Sequence, residues 1–164
     1  MTSHNKGEAT DVIYLDYAKA FDSVIHSKLL HKMYAYGIRD DLLKWFKNFL
    51  SNRTQAVTIN GVLSDFLPVT SGVIQGSVCC PQLFKLYIND LPEVITPAVK
   101  VYLFADDTKL TKVIKTIADC LVLQAALCSA ASWSALWQLT LNIIKSIVQH
   151  LGRSNTKYNY RLFG

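Results

Sequence analysis

The 164-residue chain is 51% apolar, 11% aromatic and only 18% charged, a composition that excludes a disordered segment and predicts one domain with a packed core. Seventeen lysines and arginines against twelve acids leave a formal charge of +5, which permits a polyanionic partner without requiring one. Cys79, Cys80, Cys120 and Cys128 lack metal-ligand spacing, and the polar stretch Met1–Thr10 lacks the apolar run of an export signal, so a reduced, intracellular protein is expected.

Asp11-Val-Ile-Tyr-Leu-Asp16 is an apolar run ending in an acid, the pattern of a buried strand whose last residue emerges from the sheet. Asp22 or Ser23 can cap a helix running to about Tyr36, where Gly37 stops it, and Asp40 can cap a second helix with a broad apolar face from Leu42 to Leu50. Gln55 to Asn60 and Val62 to Val69 alternate around Asn60-Gly61, a strong hairpin signal. These elements read as scaffold. In Ser71-Gly-Val-Ile-Gln-Gly-Ser77, two glycines four apart open a loop that leads into a helix with Pro81 in its first turn. Such a loop is either an ordinary tight turn or a place where backbone and helix amides approach an anion or a base edge.

Val99 to Phe104 and Thr108 to Ile114 read as two strands, with Ala105 to Thr108 as the hairpin tip. Asp106 and Asp107 at that tip form either a solvated turn or a pair whose repulsion is relieved by a shared proton or a bound cation. Ile117 to about Leu139 is Ala- and Leu-rich, with Trp133 and Trp137 one turn apart and expected in the core. No charge occurs from Cys120 to Ile144, yet seven polar residues interrupt the stretch, which argues for a buried or half-buried helix rather than a membrane span. The tail from Asn142 to Gly152 and from Tyr158 to Gly164 suggests two further short strands around a polar turn.

The order of these motifs resembles the palm region of a reverse transcriptase from a non-LTR (LINE-type) retrotransposon, in the jockey or chicken-repeat style. The residues that carry the resemblance are Tyr14-Leu-Asp-Tyr-Ala-Lys-Ala-Phe-Asp22, Ser71-Gly-Val-Ile-Gln-Gly-Ser77, Leu83-Phe84 with Tyr87-Ile-Asn-Asp-Leu-Pro92, Phe104-Ala-Asp-Asp107, and Leu141-Asn142 with Lys145. It covers the chain from about Gly7 onward. The implied fold is an α+β polymerase palm, a small antiparallel sheet with helices packed on one face, over residues 1–164 as a partial reverse transcriptase domain with the fingers mostly absent and the thumb absent. The implied activity is RNA-directed DNA synthesis, joining deoxynucleoside triphosphates to a primer 3′-hydroxyl by the two-metal mechanism of phosphoryl transfer. Its cofactor would be two Mg²⁺ ions, with Mn²⁺ as a possible substitute, and its partners an RNA template and a DNA primer in the nucleus or cytoplasm, with no membrane.

By the family pattern Asp16 and Asp106 bridge both ions, Asp107 supports the ion that activates the primer terminus, and the backbone carbonyl of Tyr17 adds a ligand. Phe21 matches the ring that excludes a ribose 2′-hydroxyl, with a core aromatic as its other reading. Gly72, Gln75 and Gly76 match the loop that braces template base and incoming nucleotide. Lys145 matches the lysine that protonates the pyrophosphate leaving group, with a solvated lysine as the rival. Lys19 and Asp22 belong to the same motif as Asp16, Asp22 mainly for local structure.

The chain departs from the pattern at Ile74, where the family has proline, at Cys79-Cys80, in place of a Leu-Gly pair, and at polar Gln82 and Lys85 on a helix that the family buries. Cys80 would be strained if that backbone required positive φ, and Gln82 and Lys85 would be costly if buried unpaired. These departures suggest as an alternative a catalytically incompetent, truncated remnant that at most binds nucleic acid. Another two-metal palm enzyme and a purely structural module are the further rivals.

Overall fold

The structure, a computed structural model, describes residues 8–162. The stretch up to Gly7 and the last two residues of the expected final strand lie outside them. In chain order the elements are β1 (Thr10–Leu15), α1 (His26–Ala35), α2 (Asp40–Leu50), β2 (Thr54–Gln55), β3 (Thr58–Ile59), β4 (Val62–Leu63), β5 (Leu67–Pro68), α3 (Cys80–Ile88), a 3-10 turn (Leu91–Val94), β6 (Lys100–Phe104), β7 (Asp107–Val113), α4 (Ile117–Trp137) and β8 (Ile147–Leu151). They form two compact units, one running to Ala18 and resuming at Asp90, the other Lys19–Asn89.

The first unit is a four-stranded antiparallel sheet in the order β6-β7-β1-β8, with α4 packed on β7. β1 is central and its residues Val12, Ile13 and Leu15 are buried, which is why it reads as a nearly continuous apolar run rather than an alternation. α4 places Leu123, Leu127 and Trp133 in the core, and the Trp133 indole donates to Asp90 at 3.1 Å. By length and composition α4 could cross a membrane, but here it is the helix that covers the sheet. Trp137 is only half-buried, its ring centroid 6.2 Å from that of Trp133, so the expected core pair is one core residue and one at the rim. Asp119 takes the backbone N–H groups of Lys115 and Thr116 at 3.0 and 2.9 Å and caps the helix start.

The expected second tail strand does not form: beyond β8 the described chain through residue 162 is irregular. The reason is Asp11, fully buried on β1, whose carboxylate accepts hydrogen bonds from Asn155 (2.6 Å) and Tyr160 (2.6 Å) and pairs with His150 (2.7 Å). The tail serves as a side-chain partner of this acid instead of a further ladder. Burial and the hydrogen bond to Asp11 push the Tyr160 phenol well above its ordinary value, so it remains a donor.

In the second unit α1 packs against α2 and α3, burying Leu29, Met33, Leu83, Phe84 and Tyr87. α1 begins at His26 with Ile25 as its N-cap residue, later than the cap predicted at Asp22 or Ser23, because residues 18–23 form turns in which Lys19 accepts the N–H groups of Asp22 and Ser23. The buried Lys32 ammonium donates to the Tyr87 carbonyl near the C-terminal end of α3, where the helix dipole favours a cation. Of α2 only Leu50 is buried, and its Trp45 and Phe49 stack on each other at 5.2 Å. Asn60 and Gly61 both take positive φ, the turn that a two-residue hairpin requires, but the ladder is broken into two-residue pairs, β3 with β4 and β2 with β5.

Candidate active site

Three segments far apart in sequence meet at one end of the sheet. The β1–β7 ladder runs from Thr10 opposite Val113 to Leu15 opposite Thr108. The ladder stops one residue short of Asp16, and Asp107, next to Thr108, pairs with Phe104. Asp106 shares the intervening turn with Ala105, held at φ +53°, a left-handed conformation that alanine rarely adopts. Asp16 and Asp106 are half-buried and Asp107 is exposed.

The third segment is Thr140 to Ser146. The Asn142 amide donates to the Asp16 carbonyl at 2.8 Å, the Ala18 amide to the Thr140 carbonyl at 2.8 Å, and the Asp16 amide to the Ser146 hydroxyl at 3.3 Å. These bonds frame an antiparallel bridge between Tyr17 and Leu141 in which the flanking residues carry the hydrogen bonds, so the Tyr17 carbonyl stays outside the ladder. Its side chain is buried, and burial raises the phenol's pKa against the opposing effect of the Ser134 and Thr108 hydroxyls. Asn142 also closes the turn that carries Lys145, accepting the Lys145 amide at 3.3 Å and the Ser146 amide at 2.9 Å. The Lys145 ammonium lies 4.0 Å from the Asp16 carboxylate and is 70% exposed, an ion pair worth under about 1 kcal/mol.

Alternation along the strands puts Lys109 on the same sheet face as Asp107. Its ammonium sits 5.5 Å from the Tyr14 ring and 5.8 Å from the Tyr102 ring, its neighbours on the flanking strands. The sequence reading missed this cation, although counting two residues on from Asp107 would have found it.

The donors at this edge are hard oxygens, which suit Mg²⁺. Among the described residues no three acids, histidines or cysteines are gathered into a metal-binding group. That is compatible with Mg²⁺, which is bound by one or two carboxylates and completes its shell with water and substrate phosphate.

The remaining sequence-predicted residues lie in the second unit, where residues 21–24 and 71–73 run side by side. The Val73 amide donates to the Phe21 carbonyl at 2.9 Å, the Gly72 amide to Val24 at 2.8 Å, and the Ser71 hydroxyl to Asp22 at 2.9 Å. The approach is so close that a Cβ on Gly72 would meet the Asp22 Cα at 2.9 Å, and Gly72 holds φ +91°. Gly76 takes φ +84° in open space, so only its conformation calls for glycine. Gln75 is exposed at the loop tip and donates its amide to the Asp22 carboxylate at 2.8 Å, which matches the structural role expected of Asp22. The Phe21 ring is half-buried against Phe84, centroids 4.5 Å apart.

The departures at Cys80, Gln82 and Lys85 are accommodated. Cys80 is the first residue of α3, following Cys79 at φ −78°, so no positive φ is required there. Burial, with the nearby Asp22 charge second, raises its thiol pKa. Gln82 and Lys85 are both exposed on α3, and the cost expected from burying them does not arise.

The family described as reverse transcriptase (RNA-dependent DNA polymerase) matches residues 1–160. The chain is 34% identical over 139 residues to the RNA-directed DNA polymerase from mobile element jockey of Drosophila melanogaster, an alignment covering 80% of this chain and 15% of that protein. It is 30% identical over 116 residues to the retrovirus-related Pol polyprotein from type-1 retrotransposable element R2 of Popillia japonica, covering 64% of this chain and 19% of that protein. The chain thus spans less than a fifth of these relatives' length. Telomerase from Candida tropicalis, truncated from its C-terminal domain, superposes with a TM-score of 0.67 over 91% of this chain and 32% of that one at 12% identity, a likeness of fold alone. The α+β architecture and the resemblance to non-LTR retrotransposon polymerases both hold, and the chain belongs to the reverse transcriptase (RNA-dependent DNA polymerase) family.

Proposed function

We propose that this chain carries the catalytic centre of an RNA-directed DNA polymerase that extends a DNA primer on an RNA template within a non-LTR retrotransposon. The observation that supports it most is the β1–β7 register, which ends at Leu15 opposite Thr108, next to Asp16 on one strand and Asp107 and the Asp106 turn on the other, with Lys145 4.0 Å from Asp16. Asp16, Asp106, Asp107 and the Tyr17 carbonyl would hold two Mg²⁺, or Mn²⁺ in their place. When bound, the ions activate the primer hydroxyl and offset charge on the leaving oxygen.

The remaining roles belong to the chain's own groups. Lys145, free to move at 70% exposure, is a proton donor for the pyrophosphate that departs. Phe21, whose ring packs against Phe84, would be the ring that excludes a ribose 2′-hydroxyl and selects deoxynucleotides, and Gly72, Gln75 and Gly76 the loop against the base pair being made.

Primer extension on an RNA template with deoxynucleotides and Mg²⁺ tests the reading, beside Asp107→Asn. The variant is expected to lose activity by a factor of about 100 or more, since a metal-bound carboxylate stabilises charge in the transition state. Equal extension by both proteins would end the assignment.

A further inference from the structure

Between β3 and β4 the chain reverses at Asn60-Gly61, the one point in the sequence where glycine follows asparagine. Both residues are exposed and both take positive φ, +50° and +81°. The hairpin they close is a separate two-stranded sheet of two residue pairs, Thr58 with Leu63 and Ile59 with Val62, and all four residues are exposed. Below the ladder the Val57 amide donates to the Ser64 hydroxyl and the Ser64 amide to the Val57 carbonyl, both at 2.9 Å. An isolated two-stranded hairpin is marginally stable in water, so this turn opens at low cost.

The carboxamide carbon of an asparagine can reach the main-chain nitrogen of the next residue and close a five-membered ring with it. Two things ordinarily oppose closure: the side chain of that next residue, and surroundings that hold the backbone fixed. Gly61 has no Cβ, and apart from its chain neighbours no heavy atom lies within 4 Å of where one would stand. Asn52 shows the contrast within the same unit. It too is exposed and holds φ +55°, but Arg53 follows it. Asn142 and Asn155 precede the β-branched Ile143 and Thr156, and their carboxamides are engaged, Asn142 accepting the Lys145 amide at 3.3 Å and Asn155 donating to Asp11 at 2.6 Å.

We propose that Asn60 is a site of spontaneous modification, converted through a succinimide to aspartate and isoaspartate. The Gly61 nitrogen gives up its proton to solvent base and bonds to the Asn60 Cγ. The bond from Cγ to the side-chain nitrogen breaks, and ammonia leaves carrying a proton from water. Water then opens the ring: breaking the new bond to Cγ yields aspartate, and breaking the original peptide bond yields isoaspartate, with the chain running through the side chain. The net change is one water consumed and one ammonia released, with no oxidation. Either product puts a negative charge on a neutral tip, and isoaspartate also lengthens a two-residue turn whose length sets the β3–β4 register.

Incubation of the full chain at neutral pH, followed by peptide mapping with mass spectrometry that resolves the two products, makes the test. Asn60 is expected to convert about tenfold faster than Asn52, a barrier difference of about 1.4 kcal/mol. Conversion in the folded chain should fall within about tenfold of that in guanidinium chloride, because the turn opens readily. Gly61→Ala should slow conversion at Asn60 about tenfold and leave Asn52 unchanged. Asn60→Gln, whose ring would be six-membered, should nearly stop it while keeping a carboxamide at the tip. Equal rates at Asn60 and Asn52, or a wild-type rate in Gly61→Ala, overturn the proposal. So does an Asn60 that stays intact in the folded chain while the unfolded chain converts, since the hairpin would then hold the turn closed.

Discussion

The sheet unit and the Lys19–Asn89 unit hold their chemical groups in place by different means. In the first, residues about 90 to 130 positions apart are brought to one edge by a long antiparallel register, and a slip of one residue would turn every side chain to the other face. In the second, no ladder is longer than two residue pairs, and position is set by main chain lying against main chain, with Gly72 as the point of closest approach. A buried core enforces the register: β1 is covered along its length, whereas both residues of each of β2, β3, β4 and β5 are exposed. The sheet should therefore fail through lost core partners and the loop unit through backbone crowding.

The largest expected effect is in the sheet. Asp11→Ala removes the acceptor for Asn155 and Tyr160 and the partner of His150, and should cost about 3 kcal/mol in urea unfolding. A change within 0.5 kcal/mol would mean that the tail is not part of the core. Next is Gly72→Ala, which meets the Asp22 backbone at 2.9 Å at φ +91° and should cost about 2–4 kcal/mol. Gly61→Ala, at φ +81° with nothing within 4 Å, serves as its control and should cost only about 1 kcal/mol. Equal losses at the two glycines would show that conformation alone, and not close approach, governs the loop.

The smallest effect is at the start of α4, where hydrogen bonds from the backbone N–H groups of Lys115 and Thr116, then from the Lys112 side chain, lower the Asp119 pKa from 3.8 to about 2. Because the folded value lies below the unfolded one, the stabilisation is present above about pH 4 and is lost as pH falls towards 2. Asp119→Asn should accordingly lower the melting temperature at pH 7, and the gap to wild type should close across that acid window. A gap independent of pH would remove the capping charge from the account.

Local periodicity carried much of the fold. The alternation from Val99 to Ile114 placed Asp106 at a hairpin tip, although Asp107, expected at the tip with it, is the first residue of β7, and Asn60-Gly61 announced its turn, because strand period and turn chemistry are properties of neighbouring residues. The tail was not legible, since what organises it is a buried acid more than 140 positions earlier, and Asp11 at the head of an apolar run looks like an ordinary strand boundary. The exposure of Gln82 and Lys85 was equally hidden, because a short apolar helix does not say which of its faces meets another element. Among the predicted site residues, Asp16 and Lys145 prove to be neighbours, a link that a separation of 129 positions conceals from any window of sequence.

The bridge between Tyr17 and Leu141 also bears on how this site can be probed. Its flanking residues take the hydrogen bonds, so the oxygen at position 17 is presented by the main chain whatever side chain stands there. Side-chain replacement at Tyr17 would register as a packing defect while leaving that acceptor in place. Evolution can thus redraw residue 17 for the sake of the core without giving up the oxygen, whereas the geometry of that oxygen depends on residues 16, 18, 140 and 142 keeping their hydrogen bonds.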